Sequence, residues 1–184
     1  MPQNSRNRQS KPSTASKKVS YSPLTPSLAF QLAAPHTWVA AIMPVLFSIE
    51  YSAITYSGKV SILLALILLA ICILMQSAVN VLNDYFDFKK GTDSVENSSD
   101  DAFDAVLVYN NLNPKSVSAL AIGFLIVAAG MGFYLVYLTG WILLVIGLIG
   151  ALIVFLYSGG KTPISYMPIG ELVSGFVMGG LIPL

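Results

Sequence analysis

Five long apolar runs, parted by short polar breaks, leave this chain little choice of architecture. The first runs roughly from Thr37 to Tyr56, the second from about Val60 to Asn83 and the third from about Val117 to Leu138. The fourth covers Trp141 to Tyr157, and a fifth begins near Pro168. Several approach or exceed the roughly 18–20 residues that cross a bilayer as helix. With 55% hydrophobic and only 10% charged residues among 184, the composition is unlike that of a soluble domain. The expectation is an all-α, polytopic transmembrane helical bundle of about five spans, multi-pass in the cell membrane and in contact with the lipid bilayer.

The breaks have their own chemistry. Residues 1–27 are polar and carry four prolines, which reads as a disordered tail. Pro44 suggests a kink in the first span. Gly58 supplies the freedom for a tight reversal, and Asn113-Pro114 reads as the cap and first residue of the third helix. Cys72 stands alone in an apolar run, which excludes an intrachain disulfide and suggests a small core hydrophobe. Orientation follows from the ten basic residues. Arg6, Arg8, Lys11, Lys17 and Lys18 precede the first span, so the N-terminus is expected in the cytoplasm. Lys89, Lys90, Lys115 and Lys161 then fall on that side too, leaving only Lys59 outside. Both longer polar loops, Asp84–Asn113 and Ser158–Met167, consequently share the cytoplasmic face.

The end of the second run carries a polar stripe. Counting 100° per residue from Asn80, Gln76 falls at about 320°, Asn83 at about 300°, Asp84 at about 40° and Asp87 at about 340°. These five residues occupy an arc of roughly 100°, the width that normally carries an apolar face. Carboxylates at bilayer depth are costly and point to function. They could instead form a structural cap that ends the helix in the headgroups. At a helix C-terminus, however, the macrodipole opposes them, and a bound cation removes that conflict. Hard oxygen donors of this kind suit Mg²⁺, with a substrate phosphate completing the shell. Gly91 is read as the helix breaker, and Asp93 beyond it can fold back toward the same ion. Glu96, Asp100, Asp101 and Asp104 lack any ligand spacing and read as solvated loop acids.

In the second loop, Tyr157 and Lys161 stand at i, i+4. Lys161 could snorkel to lipid phosphate or bind a substrate diphosphate as a point charge; beside the aspartates the second reading is preferred. His36 reads as an interfacial structural histidine in preference to a substrate contact. Glu50 reads as a helix-packing or outer-headgroup residue, and Glu171 is open between a buried partner and an interfacial acid. No nucleic-acid partner is expected.

The run NxxNDYFDFKKGTD, from Asn80 to Asp93, resembles the first aspartate-rich motif of the UbiA family of intramembrane prenyltransferases, and is most similar to its MenA branch, which prenylates 1,4-dihydroxy-2-naphthoate in menaquinone synthesis. Pro35-His36-Thr37, Asn113-Pro114-Lys115 and Tyr157-xxx-Lys161 add to the likeness, which covers about residues 28–184. It implies a transmembrane prenyltransferase domain over those residues. The implied reaction is Mg²⁺-dependent transfer of a polyprenyl group from its diphosphate to an aromatic acceptor. Asn80, Asn83, Asp84, Asp87 and Asp93 would serve the metal, Asn80, Asn83, Tyr157 and Lys161 the substrate, and Asp84, Asp87 and Lys161 the chemistry. The family's second aspartate-rich motif does not occur in these 184 residues, so the expectation is the N-terminal half of an enzyme, inactive alone. One alternative is a prenyltransferase of the same family with another acceptor; those from other classes are a non-catalytic, truncated membrane module and a cation-transport subunit. Transport is disfavoured because the spans other than the second are almost wholly apolar.

Overall fold

The computed structural model describes residues 20–56, 60–93, 105–159 and 162–183. Among them the apolar runs are helical, and no strand occurs beyond one isolated bridge between Ser22 and Leu112. Helix α1 covers Pro26–Leu32, α2 Val39–Thr55, α3 Ile62–Lys90, α4 Val106–Tyr109, α5 Pro114–Thr139, α6 Ile142–Ser158 and α7 Gly170–Phe176. A π-helical turn, Val177–Leu181, continues α7. By length and apolarity α3 and α5 suffice to cross a membrane, and the bent pair Pro26–Thr37 and Val39–Thr55 makes a third if it is counted as one span. Helix α6 and the segment Gly170–Leu181 are apolar but shorter, so the five expected runs comprise two or three spans of full length.

Helix α3 is the axis of the molecule: α5 packs along it, and α2 and α6 flank it. Ser61 starts it by accepting a hydrogen bond from Leu64 N at 3.4 Å. Gly91 ends it in the left-handed region at φ 76°, where a residue without Cβ pays no steric penalty. The helix therefore continues beyond the apolar run's end near Asn83 to the expected breaker at Gly91 and carries the whole polar stripe. Its 29 residues make a rod of about 44 Å against a hydrocarbon core of about 30 Å. The last two turns, with Asp84 and Asp87, thus reach the headgroup level.

Two buried clusters hold the helices. Leu32, Val81, Leu82, Val106, Leu107, Leu112, Val117, Ala121 and Val154 pack around the polar end of α3. Ala41, Val45 and Cys72 join α2 to the middle of α3, which gives the lone cysteine its packing role. Much of the remaining apolar surface faces outward: Ile54 is 82% exposed, Ile62 77% and Tyr137 85%. Such a surface is stable against lipid and not against water.

Two expectations change, and a bend that was not expected appears. Helix α2 is one helix with Pro44 inside it, and a change of direction of 57° lies between Pro26–Thr37 and Val39–Thr55. Its origin is Ala34-Pro35. A residue before proline is disfavoured in the right-handed helical region, and Ala34 adopts φ 47° before the 3₁₀ turn Pro35–Thr37. The tail assigned to residues 1–27 ends sooner: residues 1–19 lie outside the described residues, but Ser22 N donates to Asn111 O at 2.9 Å and Asn111 Nδ2 to Ser20 O at 2.8 Å. Thr25 caps α1 by accepting from Leu28 N at 3.3 Å. Finally, the segment read as an unbroken polar loop to Asn113 contains α4. Residues 94–104, with the four loop acids, lie outside the described residues.

Candidate functional site

The polar stripe forms one wall of a cavity of about 250 Å³ at the headgroup end of α3. Asn80, Asn83, Asp84 and Asp87 line it from α3; Gln31 and Leu32 come from α1, Ala34, His36 and Thr37 from the corner after it, and Val106 from α4. Helical spacing alone brings the four stripe residues together. What closes the cavity is the corner at Ala34, which folds α1 back across the end of α3.

Asn80 secures that corner. Its Nδ2 donates to Ala33 O at 2.9 Å and to Thr37 Oγ1 at 2.8 Å. Gln76 Nε2 reaches the same hydroxyl at 3.4 Å, and Thr37 Oγ1 passes its own proton to Ala34 O at 2.9 Å. One turn earlier, Trp38 Nε1 bridges Ala33 O at 3.2 Å and Ser77 Oγ at 3.0 Å. A left-handed alanine costs about 1–2 kcal/mol, and this network over-determines it. Asn80 therefore joins two functions: its amide nitrogen holds backbone, and its amide oxygen is the atom with which it could meet a cation.

Asp84 is buried, 7% exposed, with α4 as its partner. Both carboxylate oxygens accept from Leu107 N at 3.3 Å, at an end of α4 that no side chain of its own caps. The structural alternative to metal binding is therefore present in a different form, since the aspartate caps the neighbouring helix, while its own helix is capped through the backbone at Gly91. Asp87, one turn on, is half-buried and its Oδ1 accepts a hydrogen bond from the Tyr166 hydroxyl. Tyr166 belongs to the 3₁₀ turn Ile164–Tyr166 between α6 and α7. Its phenol is raised above the ordinary value, first by partial burial and then by the Asp87 carboxylate.

The Gly91 turn sends the chain back on itself. Thr92 N donates to Asp87 O at 3.0 Å and Asp93 N to the same carbonyl at 3.4 Å. Asp93 comes close enough for its charge to act on Asp84 and on Tyr166, although it is not in the cavity wall. Tyr157 is half-buried in the last turn of α6 and is likewise outside the wall. Lys161 lies outside the described residues. His36, read as an interfacial structural residue, stands in the wall. Glu50 and Glu171 are exposed.

Tyr166 and α4 were missed from the sequence. The two cytoplasmic-side loops were expected to share a face, but a 3₁₀ turn of three residues and a helix of four offer no periodicity from which to choose the contacting residue. Chemically, the cavity gathers hard oxygen donors that suit a divalent cation. Among the described residues no three His, Cys, Asp or Glu side chains converge as a ready-made metal site. Such a set could hold only an ion that brings further oxygens of its own, as a diphosphate complex does.

Known proteins bear on this geometry. The model of the UbiA prenyltransferase family matches residues 41–184. A 1,4-dihydroxy-2-naphthoate octaprenyltransferase of Bacillus subtilis (strain 168) is 37% identical over 157 residues, 85% of this chain and 49% of that protein. A protein of the same name from Mycobacterium tuberculosis (strain ATCC 25618 / H37Rv) is 36% identical over 110 residues, 59% of this chain and 36% of its own length. No solved structure matches. The chain spans about half the length of the Bacillus relative. A family match that begins in α2 and takes in the whole polar stripe, over a membrane helix bundle, has one meaning: the chain belongs to the UbiA prenyltransferase family.

Proposed function

We propose that the protein containing this chain transfers a polyprenyl group from its diphosphate to an aromatic acceptor, and that the acceptor is 1,4-dihydroxy-2-naphthoate, the compound in the names of both relatives, in menaquinone biosynthesis. The observation that carries the reading is the cavity in which Asn80, Asn83, Asp84 and Asp87 face the folded-back corner at Ala34. The chemistry of this donor set fits Mg²⁺, with Asn83, Asp84 and Asp87 as its holders and the Asn80 amide oxygen beside them. When bound, the ion would neutralise the diphosphate as the allylic C–O bond breaks. Asp93, set beside the wall by the Gly91 turn, would add negative charge that favours the ion.

Lys161, from the loop after α6, would meet the diphosphate oxygens as a cation, and Tyr157 would lie on the same side. Leu32 and Val106 give the cavity an apolar rim, against which a prenyl chain can rest and from which water is excluded while the acceptor ring attacks. The site at the headgroup end of α3 suits a substrate with a charged head and a lipid-soluble tail. In this reading the chain is multi-pass with its N-terminus in the cytoplasm, on the side of the cavity. The basic residues of the N-terminal segment support that orientation.

The test uses the full-length protein in nanodiscs with Mg²⁺, a polyprenyl diphosphate and 1,4-dihydroxy-2-naphthoate. Prenylated naphthoquinol should form, chelation should stop it, and Asp87→Asn should abolish it at unchanged protein level. Turnover with a different aromatic acid in place of the naphthoate would reassign the acceptor; no turnover with any acceptor would refute the reading.

A further inference from the structure

Between Asp87 and the loop that follows α6 there is a polar contact that nothing in the aspartate motif requires. Asp87 lines the cavity, whereas Tyr166, whose hydroxyl donates to Asp87 Oδ1, does not. The hydrogen bond to the carboxylate therefore comes from a residue that is not itself part of the cavity wall. Its own position is fixed three ways from the end of α3. Thr92 Oγ1, brought round by the Gly91 turn, lies 3.3 Å from the Tyr166 hydroxyl. The Lys90 ammonium sits 4.6 Å from the ring centroid, within cation–π range. Asp87 Oδ1 accepts the hydroxyl's hydrogen bond.

The loop that carries Tyr166 is anchored at both ends by close packing. A Cβ on Gly159 would stand 2.6 Å from Phe155 O and 3.4 Å from the Phe86 ring of α3. A Cβ on Gly170 would stand 2.8 Å from Ile164 O, in the turn that bears the tyrosine. The tyrosine thus arrives at Asp87 on a braced segment.

We propose that Tyr166 is a positioning residue for Asp87, holding one carboxylate oxygen so that the other can face a divalent cation carrying a diphosphate; this rests on the reading of the cavity given above. Hydrogen-bond partners behind a ligating carboxylate set its orientation, and losing one typically weakens metal affinity about 10–100-fold. The same contact ties the loop after α6 to α3, so the group that aims Asp87 is also the group that keeps the two loops together.

The experiment measures Mn²⁺ binding, by the loss of the free-ion EPR signal, to the full-length protein in detergent with inorganic pyrophosphate present. Tyr166→Phe keeps the ring and its cation–π contact and removes the hydroxyl. It should weaken Mn²⁺ binding about tenfold or more, with the protein still folded and its thermal midpoint lowered by a few degrees at most. Asp87→Asn should also weaken binding, and the double variant should bind no worse than Asp87→Asn alone, because the tyrosine acts through that carboxylate. Binding by Tyr166→Phe within about twofold of wild type, with Asp87→Asn weakened, overturns the proposal and leaves the site intact. Additive losses in the double variant overturn it as well, and unchanged binding in both single variants overturns the site reading together with the proposal.

Discussion

Replacing Asn80 with aspartate separates its bracing of the corner from the ligand role proposed for it. As a ligand the new side chain is better, since a carboxylate binds a hard cation more strongly than an amide oxygen. As a brace it is worse. The amide nitrogen now donates to Ala33 O at 2.9 Å and Thr37 Oγ1 at 2.8 Å, and a carboxylate puts an acceptor against both. Thr37 cannot answer by turning its hydroxyl without giving up Ala34 O, 2.9 Å away. Two net hydrogen bonds at about 0.5–1.5 kcal/mol each come to about 1–3 kcal/mol, before any repulsion between oxygens. At about 2–4 °C per kcal/mol for a chain of this size, the thermal midpoint in detergent should fall by several degrees. The corner at Ala34, freed of a main restraint, should relax away from φ 47° and open the cavity. The assay is thermal unfolding of wild type, Asn80→Asp and Asn80→Ala without added metal. A midpoint for Asn80→Asp equal to wild type would show that the corner stands without Asn80, and that the residue is a ligand alone.

Three further outcomes are expected. Asp87→Asn should abolish prenyl transfer by the full-length protein whereas Asp101→Asn should leave it within about twofold, because a cation needs the helix-face carboxylate; equal losses in membrane-extracted protein of equal amount would mean that no discrete site exists. Gly91→Ala meets nothing within 4 Å, so its cost is the left-handed backbone alone, φ 76°, about 1–2 kcal/mol; Gly91→Asn should cost less than Gly91→Ala in the same thermal assay, and the reverse order would remove the turn argument. Single cysteines at Ser57 and Ser94 should label from opposite sides of the membrane, in a background lacking Cys72; labelling of both from outside would invert the topology.

The helical class and the position of each apolar run were legible because a span is a long, local signal. So was the stripe, which needs only the 3.6-residue period, and so were the breaks at Gly91 and Asn113-Pro114, where local backbone chemistry decides. What lay beyond the sequence was how separate segments meet. Pro44 was the visible proline within a span, yet Ala34, an unremarkable residue before Pro35, carries the bend, because its conformation is held by Asn80 and Trp38 from elsewhere. Asp84 shows the same limit. Its place on the stripe was predictable, but its hold on Leu107 crosses 23 positions and begins from a four-residue helix without a pattern. Tyr166 reaches Asp87 across 79 positions, and no local rule selects it over its loop neighbours.

The grip of Asp84 on Leu107 also has a consequence for the segment between them. The Gly91 turn fixes one end of that segment on α3, and the aspartate draws the other end back to the same helix. In chain-entropy terms the roughly 15 residues between them count as a loop with both ends held. Doubling such a loop adds only about 0.6 kcal/mol of closure entropy. A reporter peptide inserted near residue 98 should therefore leave the helix bundle assembled, whereas the same insertion between Thr92 and Asp93 or beside Leu107 would pull on an anchor.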